Sequence, residues 1–186
     1  MTYEEYLAFE RGSEQKHEFV DGEIHAMAGG RFEHNQLAGN VFALLWNALR
    51  SRGCTVNNSD QRVHTPAGAG FYPDVSALCG EPRFTDDVHD ELLNPSVIVE
   101  VLSESTEAYD RGKKFERYAT IPSLRAYLLV ATDRKSIELR ERRDDIWTLR
   151  TFGPGERLTI AVLETALAVD EVYADVSLVE PSSPKN

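Results

Sequence analysis

The residue that most demands a chemical explanation is Glu100. It stands inside Val97-Ile98-Val99-Glu100-Val101-Leu102, where every other side chain favours burial. An ionised carboxylate in an apolar interior is very costly unless it is paired or binds a metal. A buried ion pair, or a place at an exposed strand end, would explain Glu100 without any chemistry, because structural pairs also perturb carboxylates. Asp74 shifts the balance. It follows Pro73 at the start of another strand-like segment, Tyr72-Pro73-Asp74-Val75-Ser76-Ala77-Leu78. Alone, Pro-Asp is an ordinary turn. Together, Asp74 and Glu100 are two carboxylates that neighbouring strands could bring close, and such a pair repels unless a proton or a cation lies between them. A hard cation such as Mg²⁺ takes oxygen ligands and keeps several waters, so two protein carboxylates are enough to hold it.

A lysine completes the chemistry. Lys113 and Lys114 are adjacent on a segment that reads as a helix from about 107 to 118. They must diverge by about 100°. Lys114 lies four residues after Asp110 and four before Tyr118, on one helical face. On an arbitrary helix Asp110 and Lys114 would be a surface pair worth a few tenths of a kcal/mol. Here the helix starts directly from the strand that carries Glu100, so its first turns lie beside that strand's end. His34 opens a long helix and could meet a phosphate or the site, though a cap or packed surface group is the commoner role and is read first. Ser103 is expected to cap the helix that follows. His17, His25, His64 and His89 have no ligand spacing, and Trp46 and Trp147 fit packing better than base stacking. Arg111, Lys113, Lys114 and Arg117 cluster on one helix, with Arg134, Lys135, Arg140, Arg142 and Arg143 following. They make either a solvated face or a patch that contacts phosphates.

The elements that must position these groups are read from periodicity and punctuation. A short helix spans about 2–10, capped by Thr2. Asp21-Gly22 turns a hairpin. Leu37, Val41, Leu44, Leu45 and Leu49 make an amphipathic helix over 34–50. Strands are expected at 54–64, 72–78, 96–102 and 126–131, the third continuous enough to be buried on both faces. Residues 80–94 carry Glu81, Asp86, Asp87, Asp90 and Glu91 and read as an exposed excursion. A second hairpin joins 137–142 to 146–152, and a closing helix is expected over 160–174. The pattern predicts an α/β fold, with a mixed central sheet flanked by helices and with N-terminal and C-terminal hairpins.

The bulk numbers set limits. A chain of 186 residues suits one domain, expected over 1–176 with a frayed tail over 177–186. A net charge of −11 argues against a protein that coats nucleic acid. It leaves room for an enzyme that meets phosphates through a cation and a local basic patch. The two cysteines, Cys54 and Cys79, form no CxxC pair, so neither a zinc site nor a disulfide is expected. The start is polar and acidic rather than basic and then apolar, and no apolar run approaches the ~20 residues that span a bilayer. A cytoplasmic protein without a membrane partner is the expectation.

Pro73-Asp74, Val99-Glu100-Val101-Leu102-Ser103 and Asp110-Arg111-Gly112-Lys113-Lys114-Phe115, in this order, resemble the Uma family of restriction endonuclease-like proteins. That family is placed in the PD-(D/E)xK nuclease superfamily. The resemblance extends to His17-Glu18-Phe19-Val20-Asp21-Gly22-Glu23 and to Ala126-Tyr127-Leu128-Leu129-Val130. It implies a restriction endonuclease-like fold and metal-dependent hydrolysis of phosphodiester bonds, with DNA as the nucleic-acid partner. It implies that Asp74 and Glu100 bind Mg²⁺ or Mn²⁺, with the backbone carbonyl of Val101 as a further ligand. Glu18 matches the acidic residue before the Asp-Gly turn and would complete the site, though an exposed strand residue is an equal reading. One departure stands out. The superfamily pattern expects a lysine two residues after Glu100, where this chain has Leu102, and the resemblance moves that role to Lys114. A homodimer is expected too, since double-strand cuts need two sites, with the hairpin around Trp147 as its interface. The alternative is a nuclease-like fold kept as a binding or assembly module without turnover.

Overall fold

A computed structural model describes residues 1–178. Its centre is a six-stranded sheet in the order β11-β10-β9-β8-β6-β3. The strands are β3 (Cys54–Asn58), β6 (Val75–Cys79), β8 (Val97–Val101), β9 (Ala126–Val130), β10 (Ile137–Arg143) and β11 (Ile146–Phe152). Only β8 and β9 run parallel, and the other neighbours are antiparallel. The run at 97–101 is apolar on both sides because both faces of this sheet are covered. Val97, Val99 and Val101 face Leu37, Val41, Leu45 and Leu49 of the long helix α2 (Phe32–Leu49), after the short α1 (Tyr3–Arg11). Ile98 and Leu102 face the opposite way, toward Tyr118, Ile121 and Leu124. The two-residue alternation of a strand thus sends Glu100 to the second face.

A five-stranded sheet, β2-β1-β5-β4-β7, lies against that second face. It comprises β1 (His17–Val20), β2 (Glu23–Ala26), β4 (Arg62–His64), β5 (Gly70–Phe71) and β7 (Glu91–Leu92). β1 and β2 join through Asp21 and Gly22, with φ of 53° and 88°. This is the left-handed pair that a two-residue hairpin requires.

Several expectations are corrected. The segment 54–64 is two strands in different sheets, parted by a turn in which Gln61 N–H meets the Asn58 carbonyl. The excursion 80–94 is exposed at Asp86–His89 but returns as β7, where Glu91 is fully buried because Arg62 needs a counter-charge. The helix expected over 160–174 is instead a 3₁₀ turn (Ala161–Leu163), the strand β13 (Thr165–Ala168) and the four-residue helix α5 (Val169–Val172). Glu164 takes a left-handed φ of 48°, which ends any helix there, and β13 folds back on β12 (Arg157–Ile160). Cys54 and Cys79, directly opposed on β3 and β6, form a disulfide, against the expectation of none. The expected tail over 177–186 lies outside the described residues from 179 onward, while Val176 and Leu178 pack on the core. Trp46 is 43% exposed beneath Arg50 rather than in the core.

A buried polar network locks α1 to the sheets. Arg62 reaches Glu91 at 3.1 Å, Asp90 at 2.9 Å and the Tyr72 hydroxyl at 3.2 Å. The Tyr72 hydroxyl donates to Glu10 at 2.8 Å, and Glu10 also accepts the His17 N–H at 2.9 Å. Breaking a buried pair leaves an uncompensated charge, which costs about 3–5 kcal/mol. Arg62→Ala should therefore lower unfolding free energy by about that much. Arg11→Ala removes only partly exposed contacts to Asp86 and Asp90 and should cost under about 1 kcal/mol. Urea denaturation of both variants checks this, and equal losses would contradict it.

Candidate active site

Register brings the two carboxylates together. β6 pairs with β8 as Val75↔Val99, Ser76↔Ile98 and Ala77↔Val97. Continued by one residue, that antiparallel register sets Asp74 opposite Glu100. Asp74 Oδ2 accepts the Val101 N–H at 2.7 Å, which fixes the carboxylate at the end of β8. His34, near the start of α2, places Nε2 3.3 Å from the same oxygen.

The helical segment after β8 supplies the rest. It runs as α3 (Glu107–Tyr109), a π-helical turn over Asp110–Lys114 and α4 (Phe115–Tyr118). Ser103 Oγ accepts the Thr106 N–H at 3.2 Å in the turn before this segment, whose N-cap is Thr106 and not Ser103 as expected. A π turn is a deviation often found at functional sites. Here it carries both Asp110 and Lys114 inward, while Lys113 stays exposed. Lys114 Nζ lies 2.9 Å from Glu100 Oε1, 2.9 Å from Glu18 Oε1 and 3.8 Å from Asp110 Oδ1. Glu18 Oε1 is buried without a directed hydrogen bond, so its attraction to Lys114 is coulombic. The Tyr118 hydroxyl donates to Glu100 Oε1 at 3.0 Å, and the Tyr127 hydroxyl donates to the Asp110 carbonyl at 2.9 Å. Phe71 and Tyr118 close around the ammonium, with ring centroids 5.5 and 6.0 Å away.

The charges do not balance. Glu18, Asp74, Glu100 and Asp110 face one permanent cation, Lys114. Burial pushes the Glu100 carboxyl well above its ordinary value; Lys114 opposes the rise, and Asp74, Asp110 and Glu18 add to it. Burial also raises Asp110, with Lys114 again opposing. For Lys114, burial disfavours the charge, but Glu100, Glu18 and Asp110 outweigh it and the ammonium is held. His34 is raised on balance as well. Burial works against its charged ring, while Asp74 and the Val101 backbone favour it. A site with surplus negative charge takes up protons or cations.

The donor set fits a hard divalent ion. Asp74 and Glu100 are oxygen ligands on adjacent strands, and the Val101 carbonyl is close enough to influence the His34 ring beside Asp74. Among the described residues, no three His, Cys, Asp or Glu side chains are arranged to hold a metal ion. An ion here would therefore rest on two carboxylates and complete its shell with water and substrate oxygens, as Mg²⁺ commonly does.

The structure thus gathers Asp74, Glu100, Lys114, Glu18 and the Val101 backbone. Asp110 is buried and perturbed, unlike the surface pair of an arbitrary helix, and His34 lies at Asp74, the second of its two readings. The equal reading of Glu18 as an exposed strand residue falls, since its side chain is 13% exposed. Tyr118 and Tyr127 were missed as site residues. The signal for Tyr118 was its place one turn beyond Lys114 on the same face.

The sequence profile of the Uma2 family, described as "Putative restriction endonuclease", matches residues 3–171. Two uncharacterized proteins of Synechocystis sp. are similar along most of their length. One, slr1290, is 38% identical over 175 residues, covering 93% of this chain and 91% of the relative. The other, sll1609, is 37% identical over 161 residues, covering 86% and 91%. Among solved structures, a "putative nuclease belonging to DUF820" from Anabaena variabilis superposes with a TM-score of 0.77 at 14% identity, covering 94% of this chain and 98% of that one. The superposition establishes the fold, which is α/β and restriction endonuclease-like. By the extent of the profile match and the identity to its relatives, the chain belongs to the Uma2 family.

Proposed function

We propose that this protein is a metal-dependent endonuclease that hydrolyses phosphodiester bonds, with DNA as its substrate and Mg²⁺ or Mn²⁺ as its cation. The observation that carries the reading is the meeting of Asp74 and Glu100 across β6 and β8, with Lys114 reaching Glu100 from the following helix. The family description and the printed title of the Anabaena structure support it. Asp74 and Glu100 would hold the ion, beside the Val101 carbonyl. When bound, a divalent ion supplies an acidified water and a positive charge for the phosphate.

The chain's own residues set the geometry. His34 and the Val101 N–H hold Asp74 Oδ2, which orients the other oxygen of that carboxylate. The Tyr118 hydroxyl holds Glu100 in the same way. Lys114 Nζ keeps its proton and presents it at the level of Glu100, where it can donate to a phosphate oxygen as charge grows there. Phe71 and Tyr118 exclude water from the ammonium, which strengthens that donation. Glu18 and Asp110 keep the lysine charged.

Removing one preorganised charge stabiliser typically slows a reaction about 10²–10³-fold. Lys114→Met should lower plasmid cleavage by about that factor. It should leave Mn²⁺ affinity equal or tighter, because it removes a cation from an over-negative site. Asp74→Ala and Glu100→Ala should lose metal binding and cleavage together. Lys113→Ala should show only a modest, salt-sensitive loss. Parental activity in Lys114→Met would overturn the lysine assignment. Tight metal binding by the parent without cleavage of any nucleic acid would favour a binding module instead.

The raised Glu100 carboxyl gives a pH dependence. A carboxyl that holds its proton to higher pH must release it before a cation can bind, so protons compete more strongly than at an ordinary glutamate. Mn²⁺ affinity should fall as pH drops, beginning above the ordinary value of 4.5. Calorimetry between about pH 8 and pH 5 tests this. An affinity constant across that range would contradict it.

A further inference from the structure

The basic cluster on the helix and on β10 is mostly spent inside the protein. Arg111 pairs with Glu107 and Glu138, Arg117 with Asp21, Arg134 with Asp133, Lys135 with Asp170 and Arg142 with Asp145. Arg140 differs. It is half-buried, yet among the described residues its guanidinium makes no ion pair. Glu138, two residues away on the same strand face, is engaged by Arg111. The guanidinium lies instead over the Phe115 ring, 4.2 Å from its centroid, and Phe115 packs edge-on against Trp147. Burial lowers the pKa of Arg140, whereas Arg11, Arg62 and Arg111, each with carboxylate partners, are raised. Glu138 still attracts Arg140 coulombically but is shared with Arg111, so a partly desolvated cation with no ion pair of its own is favoured by an anion from outside.

Its placement suits an anion held beside the reactive centre. Arg140 pairs across β10 with Tyr127, and Tyr127 pairs with Ile98, one pleat from Glu100 on the same face. Strand spacing puts Arg140 roughly 12 Å from Glu100. The planar guanidinium, steadied by the Phe115 ring, keeps a donor edge for the two oxygens of a phosphodiester. Resting on the nuclease reading above, we infer that Arg140 seats a non-scissile phosphate of the nucleic-acid strand and sets its position across the active site.

The test compares Arg140→Gln, Arg140→Lys and the exposed control Arg143→Gln with the parent. Fluorescence anisotropy with a labelled DNA duplex in Ca²⁺ reads affinity and its salt dependence, and cleavage in Mg²⁺ reads KM and kcat. Arg140→Gln should raise Kd and KM about tenfold, leave kcat nearly unchanged and reduce the salt slope by about one. Arg140→Lys should recover part of the affinity, because it restores the charge without the fork. It also carries the test if the Gln variant folds poorly. Parental Kd and salt slope in Arg140→Gln, with cleavage intact, would overturn the phosphate seat and leave the nuclease reading standing. An equal loss in Arg143→Gln would overturn it too, by reducing the effect to general surface charge. A parent that neither binds nor cleaves DNA would remove the nuclease reading and this seat with it.

Discussion

A lysine ammonium sealed from water must be surrounded by negative charge, and three separate elements meet around Lys114 to provide it. Glu100 comes from the central sheet, Glu18 from the N-terminal hairpin and Asp110 from the turn before the lysine. Breaking such a cluster on one side leaves a buried charge uncompensated, which is strongly unfavourable. Phe71 and Tyr118, which belong to the apolar cluster between the two sheets, lie beside the ammonium. The same contacts overshoot neutrality, because Asp74 adds a fourth carboxylate. On the proposed reading, the surplus that stabilises the lysine also makes a place for a cation.

On the proposed reading, the π turn supplies from the helix the lysine that the strand lacks. Leu102 stands where a strand lysine is expected, and it is buried in the apolar cluster with Ile98 and Tyr118. Lys114 reaches Glu100 from the following helix rather than along a strand. The chain can exchange one route for the other because the requirement is a charge at a point in space, not at a place in the sequence.

Much of this was legible before any coordinates. The β-branched run pointed to a candidate site because a carboxylate at Glu100 violates what its surroundings favour, whereas Asp74 and Lys114 are ordinary alone and drew notice only beside it. The central sheet and α2 followed from periodicity. What stayed hidden depends on contacts distant in sequence. Glu91 looked exposed among acidic neighbours, and only Arg62 across the small sheet explains its burial. His34 reads as a cap ahead of a site residue, because nothing near it in sequence announces Asp74. The region 160–174 carried hydrophobic residues compatible with a helix, and the left-handed Glu164 that breaks it has no sequence signature as clear as glycine. The cysteine pair was invisible because opposition across β3 and β6 is a matter of register.

On the proposed reading, surplus negative charge around Lys114 is matched by a divalent cation between Asp74 and Glu100. Anomalous diffraction from crystals soaked in Mn²⁺ tests it directly. The account predicts a manganese peak contacting one oxygen of Asp74, one of Glu100 and the Val101 carbonyl, with Lys114 Nζ still beside Glu100. A peak elsewhere, or none while crystals in the same solution diffract well, would contradict it.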